Sequence, residues 1–297
     1  ALKIAMAQLN PTVGAVAANA ALLRSIRVAS GDADVIVAGE LFLTGYPPED
    51  LVLKRAFLAH VAEEAEKLVA DTAEGGPALV FGLPVVENGV LYNSVMVADG
   101  GQSAVRHKVH LPNYAVFDEK RLFGAGAMPE LVELRGLRVG VPICEDIWFA
   151  DVCSHLKMQG AELLISPNGS PFERGKHAKR LHHATARAKE TGLPLVYVNQ
   201  IGGQDELVFD GASFAVNSDG EVAAQRPAWQ TEAHMLTLNE TKKGWQAVLQ
   251  DRAIIDGDLG DIYTAAVTGL RDYVEKNRFP GVLIGLSGGI DSALCAA

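Results

Sequence analysis

The hydrophobic and polar positions of the chain follow two spacings, one typical of strands and the other of amphipathic helices. Apolar runs and alternating apolar residues predict strands at residues 2–8, 34–40, 78–87, 90–98, 103–111, 131–134, 137–143, 162–167, 193–199, 208–216, 221–224 and 234–238. Apolar residues three or four apart predict helices at residues 13–30, 51–70, 150–159 and 175–191. Asn88-Gly89, Gly100-Gly101 and Arg135-Gly136 separate neighbouring strands and indicate tight hairpins.

Hairpins and strand–helix–strand units are interleaved along this part of the chain. Such a chain can form two sheets that pack face to face, with helices covering their outer faces. We therefore predict an α/β fold with four layers in the order α-β-β-α for residues 1–245.

The pattern changes after Trp245. Apolar residues recur three or four apart between 259 and 274 and predict a long amphipathic helix, which we place with a linker in residues 246–280. An apolar strand is predicted at 282–286, followed by a glycine-rich turn and the first residues of a helix. A strand, a loop and a short helical segment cannot bury a core of their own, so we interpret residues 281–297 as the truncated start of a second domain.

Composition and charge narrow the class of protein. Hydrophobic residues make up 48% of the chain, but no apolar run approaches the ~20 residues of a membrane span. The net charge of −10 argues against a nucleic-acid surface. Cys144, Cys153 and Cys295 are an odd number without CxxC spacing, which fits a reducing compartment. The N-terminus is typical of a first strand and not of a signal peptide, so we expect a cytoplasmic protein without membrane or nucleic-acid partners.

Three chemically complementary side chains, Glu40, Lys108 and Cys144, lie at or near the ends of predicted apolar strands. Folds with parallel strands place reacting groups at such ends. A cysteine attacks as the thiolate, which a neighbouring ammonium and a following helix N-terminus would favour. A carboxylate can take the thiol proton and pass it to a departing amine, and an ammonium can stabilise an oxyanion. Together the three predict acyl transfer from an amide through a thioester.

Each of these residues also has an ordinary structural explanation. A lone buried cysteine is more often a small hydrophobic residue than a nucleophile, which is how we interpret Cys153. A glutamate or lysine that ends a strand is usually a solvated loop residue. Spacing along the chain does not establish that the three side chains meet.

The sequence around each of the three residues resembles the nitrilase, or carbon–nitrogen hydrolase, superfamily. The similar blocks are AGELFLTGY at 38–46, RHKVHL at 106–111 and VPICEDIWF at 141–149, in the order found in the family. The resemblance implies a nitrilase-like α-β-β-α sandwich, with Glu40 as general base, Lys108 as oxyanion partner and Cys144 as nucleophile. It also places Glu119 where such enzymes have a second, supporting glutamate, although a surface carboxylate explains Glu119 equally well.

Two motifs suggest a substrate class. The CEDIW segment at 144–148 resembles the glutamine amidase domains attached to NAD synthetases more than it resembles aliphatic nitrilases. The SGGIDS segment at 287–292 is similar to the ATP loop of pyrophosphatase-type ligases, in which glycines let backbone N–H groups approach a phosphate. A Gly-Gly pair alone is commonly just a turn. The residues expected to bind ATP are Ser287, Gly288, Gly289, Asp291 and Ser292.

The same resemblance implies substrates and binding residues. Ammonia released from L-glutamine at Cys144 would amidate deamido-NAD, with ATP and Mg as substrate of a Rossmann-like ATP-pyrophosphatase domain that starts at residue 281. The residues implied to contact glutamine are Tyr114, Ser170 and Lys176, with Phe117 and Glu145 as pocket walls. Alternatively, Lys176 is a solvated residue at a helix start and Arg174 takes its role.

A cluster of histidines at 177, 182 and 183, with His155 elsewhere, suggests a metal site that we reject. His177 and His182 are five residues apart and lie on different helix faces, unlike the i, i+4 pair of a zinc helix. A polar helix surface or a subunit contact in a homo-oligomer explains them better. We expect no metal and no cofactor in the amidase site.

Two other functions are compatible with the fold. A stand-alone amidase or carbamoylase would carry an unrelated tail, which the SGGIDS loop opposes. An interaction domain without activity would not need Glu40, Lys108 and Cys144, all of which are present.

Overall fold

The computed structural model describes residues 1–255 and 257–297; residue 256, in the predicted linker, lies outside the described residues. The strands are β1 (Leu2–Gln8), β2 (Val35–Val37), β3 (Ala78–Glu87), β4 (Val90–Asp99), β5 (Gln102–His107), β6 (Val132–Leu134), β7 (Leu137–Gly140), β8 (Leu163–Asn168), β9 (Leu195–Asn199), β10 (Ile201–Gln204), β11 (Leu207–Asp210), β12 (Phe214–Val216), β13 (Val222–Gln225), β14 (Glu232–Thr241) and β15 (Gly244–Ala247). The α-helices are α1 (Val16–Ala29), α2 (Arg55–Thr72), α3 (Glu119–Leu122), α4 (Asp151–Met158), α5 (Lys176–Thr191), α6 (Leu259–Lys276) and α7 (Ile290–Ala296). Short 3-10 helices span Glu49–Leu53 and Cys144–Trp148.

The strands form two large sheets and a separate hairpin of β10 and β11. The first sheet has the strand order β15-β14-β1-β2-β3-β4-β5 and the second has the order β13-β12-β9-β8-β7-β6. In each sheet the central strands are parallel, β1 to β2 to β3 and β7 to β8 to β9, whereas the outer strands are antiparallel. The carboxyl ends of the central strands therefore carry loops at one edge of each sheet, which is where such folds place reacting groups.

Alternation along the strands builds the layers. In β1, Ile4 and Met6 pack against residues of the second sheet such as Val139 and Ile165. The intervening residues of β1 face the other way and pack with the apolar residues of α1 and α2. Helices α4 and α5 cover the outer face of the second sheet. The layers are helix, sheet, sheet and helix, so the predicted four-layer arrangement is confirmed.

The elements differ from prediction mainly where strands end. The strand predicted at 34–40 ends at Val37 and the one predicted at 103–111 ends at His107, so Glu40 and Lys108 lie in the segments that follow. The single strand predicted at 208–216 is two strands, because the chain breaks at Gly211 with φ +71°. The hydrophobic pattern did not predict β10 or β15; the two glycines of β10 obscure its alternation.

Helix α6 confirms the predicted amphipathic helix, but its apolar stripe is exposed and its buried residues are polar. Asp272 Oδ2 accepts hydrogen bonds from Asn10 Nδ2 (2.9 Å) and from Gly203 N of β10 (2.7 Å). Lys276 Nζ donates to Gly203 O at 2.7 Å. The exposed apolar residues of α6 are Leu259, Ile262, Tyr263, Val267, Leu270 and Tyr273. Helix α6 is therefore held on the β10–β11 hairpin by its polar face.

Residues 282–286 do not form the predicted strand. A strand needs a neighbour to pair its N–H and C=O groups, and the side chains of this segment are exposed. The glycine-rich turn and the helix α7 follow as predicted. The predicted domain boundary at residue 245 lies within β15, and the division into 1–245, 246–280 and 281–297 stays a prediction. Among the described residues, no helix is long and apolar enough to cross a membrane.

Candidate active site

Glu40 lies in the turn that follows β2, and close contacts of this turn with β3 and β8 fix its position. Its N–H donates to Asn168 O at the end of β8 (3.3 Å), so the turn bridges the two sheets. On the neighbouring strand, Gly82 N donates to Gly39 O at 3.1 Å, and a Cβ at Gly82 would lie 2.1 Å from Leu41 N. Only glycine leaves space for this turn. The Glu40 side chain is thereby fully buried between the sheets.

Lys108 joins two carboxylates in the interior. Its backbone N–H donates to Asn93 O of β4 at 2.8 Å, and its side chain is 1% exposed. Lys108 Nζ donates to Glu40 Oε1 at 2.6 Å and to both carboxylate oxygens of Glu119 at 3.0 Å. Glu119 begins α3 and is 5% exposed, so its alternative interpretation as a surface carboxylate is wrong. Burial alone would lower the pKa of Lys108, but Glu119 and Glu40 raise it well above its usual value.

Cys144 opens the 3-10 helix that follows β7, and its φ of +44° is unusual for a residue other than glycine. The buried carboxylate of Asp146 braces this turn. Asp146 Oδ2 accepts from Ile143 N at 3.0 Å, and Oδ1 accepts from Val109 N at 3.1 Å and His110 N at 2.8 Å. Burial raises the pKa of Asp146 to about 6. One carboxylate thus ties the turn of Cys144 to the segment that follows Lys108.

The surroundings of Cys144 favour the thiol over the thiolate. Burial is the largest cause of a raised thiol pKa, and the negative charge of Glu40 raises it further. Lys108 lowers the pKa of Cys144 but does not outweigh them. Lys108 thus favours the thiolate as expected, but burial and Glu40 raise the pKa of the thiol by more than Lys108 lowers it. An attack by Cys144 would therefore require removal of the thiol proton, and a neighbouring carboxylate such as that of Glu40 can act as a base.

The burial of Glu119 leads to a prediction about how the free energy of unfolding depends on pH. Burial raises the pKa of Glu119 to about 7, with Lys108 opposing the rise and Glu40 adding to it. The folded protein therefore holds this proton more tightly than the unfolded chain, whose carboxyl has a pKa near 4.5. The contribution is present below about pH 4.5 and is lost as the pH rises to about 7. Wild type should lose up to about 3 kcal/mol relative to Glu119→Gln across this range.

Urea unfolding of both proteins between pH 4.5 and pH 7.5 measures this difference. Glu63→Gln removes an exposed carboxylate on α2 and serves as the control, because its unfolding free energy should follow that of wild type. Parallel curves for wild type and Glu119→Gln would show that Glu119 does not titrate in this range.

Tyr114 and Glu145 form one side of the site. Tyr114 Oη donates to Glu145 Oε1 and Oε2 at 2.8 and 3.0 Å, and Glu145 directly follows Cys144. A cavity of about 580 Å³ opens beside them. Its lining includes Tyr114, Glu145, His110, Lys120 and Phe149. This space is within the range of small-molecule sites and reaches the residue next to Cys144.

Lys176 is far from Glu145 in the sequence but close enough in the structure to affect its titration. Burial raises the pKa of Glu145, and the positive charge of Lys176 opposes that rise. Lys176 is 6% exposed, and its Nζ lies 3.3 Å from Glu173 Oε1. The same Nζ is 5.9 Å from the ring centroid of Phe117 and 5.4 Å from that of Trp148. The alternative of a solvated helix-start residue is therefore wrong for Lys176, whereas Arg174 is exposed.

Ser170 is held by a buried arginine that the sequence analysis missed. Ser170 Oγ accepts from Arg180 Nε at 2.9 Å, and Ser170 N donates to Asn199 Oδ1 at 2.9 Å. Arg180 is fully buried and forms an ion pair with Asp210 at 2.9 Å. The signal for Arg180 was its position four residues before Ala184, on the apolar stripe of α5.

Two further buried polar residues in the site were not identified from the sequence. Tyr46 Oη donates to Glu119 Oε1 at 2.7 Å, and Asn93 Nδ2 donates to Glu40 Oε1 at 2.8 Å. Tyr46 ends the first of the three family blocks. Asn93 is a polar residue in the middle of a strand, which is the one sequence signal that it carries.

The predicted ATP-loop residues form an exposed turn closed by its own serines. Ser287 N donates to Ser292 Oγ at 3.2 Å, and Gly289 N donates to Ser287 Oγ at 3.3 Å. Gly288 has φ +86°, a conformation that favours glycine. Asp291 lies in the first turn of α7.

The histidines named in the sequence do not form one cluster, although His182 and His183 contact each other with ring centroids 5.4 Å apart. His177 Nε2 is 3.0 Å from Gln225 Oε1, and the ring of His183 stacks on Trp148 with centroids 4.3 Å apart. His155 Nε2 is 2.8 Å from Gln159 Nε2. Within residues 1–255 and 257–297, no group of three or more His, Cys, Asp or Glu side chains is arranged to hold a metal ion.

Comparison with known families places this geometry. The carbon-nitrogen hydrolase family model matches residues 3–244, which is most of the chain. The chain belongs to the carbon–nitrogen hydrolase family. The NAD synthase family model matches residues 262–297, beginning inside α6. The resemblance stated from the three sequence blocks is thus confirmed.

Two relatives, one compared by sequence and one by structure, are similar to this chain over nearly its whole length. A glutamine-dependent NAD(+) synthetase of Rhodobacter capsulatus is 46% identical, with 99% of this chain and 54% of the relative aligned. The structure of a glutamine-dependent NAD+ synthetase from Acinetobacter baumannii in complex with ADP is 38% identical, with a TM-score of 0.89. That similarity covers 99% of this chain and 56% of the other. The chain spans about half the length of these relatives.

An amidase from Nesterenkonia sp., a member of the nitrilase superfamily, has a similar fold. One structure of this amidase is 25% identical to this chain, with a TM-score of 0.69. The similarity covers 79% of this chain and 88% of the amidase chain. In that structure the acetamide moiety of fluoroacetamide is covalently added to the active-site cysteine. The nitrilase-like fold predicted for this chain is confirmed.

Proposed function

We propose that this chain is a glutamine amidase, which hydrolyses L-glutamine to glutamate and ammonia through a cysteine thioester. The observation that carries the proposal is the buried group in which Lys108 joins Glu40 and Glu119, at 2.6 and 3.0 Å, beside Cys144. These are the base, the cation and the nucleophile that the acyl transfer needs. Membership of the carbon–nitrogen hydrolase family supports the same chemistry.

In the first half of the proposed reaction, Glu40 takes the proton of the Cys144 thiol as the sulfur attacks the side-chain amide carbon of glutamine. The resulting oxyanion is stabilised by the ammonium of Lys108. Glu40 then returns the proton to the amide nitrogen, the C–N bond breaks and ammonia leaves. The product on the enzyme is a glutamyl thioester of Cys144.

In the second half, Glu40 takes a proton from water, whose oxygen attacks the thioester carbon. The C–S bond breaks, the sulfur of Cys144 takes the proton from Glu40, and glutamate is released. Glu119 does not exchange protons with the substrate in this scheme. Its two oxygens, each 3.0 Å from Lys108 Nζ, hold the ammonium in place through both halves.

We further propose which residues select glutamine among amides. The buried ammonium of Lys176, with Ser170, binds the α-carboxylate, and the carboxylate of Glu145 binds the α-ammonium while Tyr114 orients it. Phe117 forms the wall between them, because its ring lies 5.6 Å from Tyr114 and 5.9 Å from Lys176 Nζ.

A substrate comparison tests this function. The intact protein should release ammonia from glutamine much faster than from acetamide or propionamide. Lys176→Met should raise KM for glutamine by about 10- to 100-fold, the cost of a lost charged hydrogen bond, and leave simple amides unaffected. Lys179→Met, an exposed lysine of the same helix, is the matched control and should behave as wild type.

The other outcomes identify the alternatives. Preference for simple amides, unchanged in Lys176→Met, would indicate a stand-alone amidase or carbamoylase. No turnover of any amide, together with no thiol labelling by a glutamine-like electrophile, would indicate an interaction domain.

In the intact protein that contains this chain, we propose that the ammonia is used in the ATP-dependent amidation of deamido-NAD to NAD. The match of the NAD synthase family model to residues 262–297 and the names of the relatives support this step. Ser287, Gly288, Gly289, Asp291 and Ser292 would then bind ATP, which enters with Mg as substrate. The amidase site is proposed to work without a metal or cofactor. A cytoplasmic homo-oligomer is the proposed setting, and 1–245, 246–280 and 281–297 are the proposed divisions.

A further inference from the structure

We propose that Asn93 is a positioning residue of the amidase site, whose side-chain amide bridges Glu40 and Glu119 and holds both carboxyl groups around the single ammonium of Lys108. The inference rests on the proposed function, because the position of Glu40 matters to the reaction only if Glu40 acts as the base. Asn93 belongs to none of the three sequence blocks that indicate the family.

Asn93 contacts all three charged residues, the two glutamates through its side chain and Lys108 through its backbone. Asn93 lies in the middle of β4 and is fully buried. Its Nδ2 donates to Glu40 Oε1 at 2.8 Å and, more weakly, to Glu119 Oε2 at 3.4 Å. Its backbone oxygen accepts from Lys108 N at 2.8 Å. The strand β4 therefore fixes the lysine through its backbone and the two carboxylates through one side chain.

The balance of charge explains why a neutral donor is needed here. When both carboxylates are ionised, two negative charges share the one ammonium of Lys108 in a buried site. Each carboxylate also accepts from one neutral donor that does not serve the other carboxylate. Gly169 N donates to Glu40 at 2.9 Å, and Tyr46 Oη donates to Glu119 at 2.7 Å. In residues 1–255 and 257–297, Asn93 is the one uncharged group that donates to both. Donors to the charged form of an acid lower its pKa.

The side-chain amide is suited to this task. The two N–H bonds of one Nδ2 diverge, so a single nitrogen can serve two acceptors without adding charge. An aspartate at this position would place a third carboxylate against Glu40, and a lysine would compete with Lys108 for the same oxygens. An asparagine therefore satisfies both carboxylates while Lys108 alone carries the positive charge.

The side-chain contacts of Asn93 differ from those of Asn19, another buried asparagine. Asn19 pairs every group of its amide: Nδ2 donates to Thr12 O and Leu43 O, and Oδ1 accepts from Thr12 N. Asn93 Oδ1, in contrast, has no partner within the described part of the chain. The side-chain contacts of Asn93 in the site are therefore made by its donor group, Nδ2, and not by its acceptor.

The test is the pH dependence of kcat/KM for glutamine in the intact protein. Asn93→Ser removes the bridging donor without adding charge, and its acidic limb should move up by about one pH unit, the size expected for a lost hydrogen bond to a charged group. Asn93→Asp should move the limb further and lower kcat/KM at pH 7 by about 10- to 100-fold. Asn19→Ser is the matched control for Asn93→Ser and should leave the limb of wild type in place.

The outcomes separate this inference from the function on which it rests. If wild type hydrolyses glutamine and Cys144→Ala does not, the function stands, and a folded Asn93→Ser with the acidic limb of wild type overturns the role of Asn93. A variant that loses only thermal stability, or a pair of variants that both fail to fold, also overturns it, because the residue is then structural. If wild type shows no hydrolysis that depends on Cys144, the proposed function fails first.

Discussion

Replacement of Cys144 by alanine is expected to lower glutamine hydrolysis by more than about 10⁴-fold, the scale seen when a catalytic nucleophile is removed. The reason is that no thioester can form, and water alone has no activated route to the amide. The fold should be retained, because alanine is smaller than cysteine and Asp146 still braces the turn through Ile143, Val109 and His110. Alanine also keeps the strained φ of this position as accessible as cysteine does.

Cys153→Ala is the matched control for this prediction. Cys153 is also buried, but it lies on α4 and packs in the apolar cluster between α4, α5 and the second sheet, and burial raises the pKa of its thiol to about 12. Its replacement should leave hydrolysis near that of wild type. Ammonia release is measured for both variants, with circular dichroism as the check on folding.

The same variant tests the wider proposal. In the intact protein, Cys144→Ala should still form NAD from deamido-NAD, ATP and free ammonia, although it should not use glutamine. Persistent glutamine hydrolysis in this variant would contradict the assignment of Cys144. Failure with both nitrogen sources in a folded protein would contradict the separation of the two activities.

The four layers were predicted correctly from the sequence. Alternate side chains of a central strand pack against different layers, and this period of two is visible in the sequence. Ile4 and Met6 face one layer while Ala5 and Ala7 face another, and this period can be read directly from β1. The pattern failed at β10, where glycines replace the alternating side chains. It also failed at 282–286, because an apolar run becomes a strand only where a partner strand pairs with its backbone.

The sequence identified the candidate catalytic residues, but it did not show that their side chains lie close together. Glu40, Lys108 and Cys144 each follow a strand, yet only the folded structure shows that Glu40 Oε1 lies 2.6 Å from Lys108 Nζ. The burial of Glu119 was equally hidden, since it starts a helix of four residues in a polar segment. The net effect on Cys144 could not be predicted, because desolvation depends on the three-dimensional surroundings.

Replacement of Lys108 by arginine is expected to reduce turnover by about 10²- to 10³-fold although the charge is kept, as for the loss of one oxyanion donor. Lys108 Nζ is a compact donor that reaches Glu40 at 2.6 Å and Glu119 at 3.0 Å in a space closed to solvent. A guanidinium is larger and planar, and its fork pairs best with a single carboxylate. It would therefore displace one glutamate or the oxyanion, and kcat should fall more than KM rises.

Lys67→Arg is a close control for Lys108→Arg, because Lys67 also joins two glutamates. Its Nζ lies 2.8 Å from Glu63 and 2.9 Å from Glu64, but the side chain is half exposed on α2. An arginine there has room to turn toward solvent, so turnover should match wild type. The measurement is the steady-state hydrolysis of glutamine by both variants, with unfolding curves to confirm the native state. If folded Lys108→Arg turned over glutamine as fast as Lys67→Arg, Lys108 would be a structural cation, and the oxyanion would need another donor.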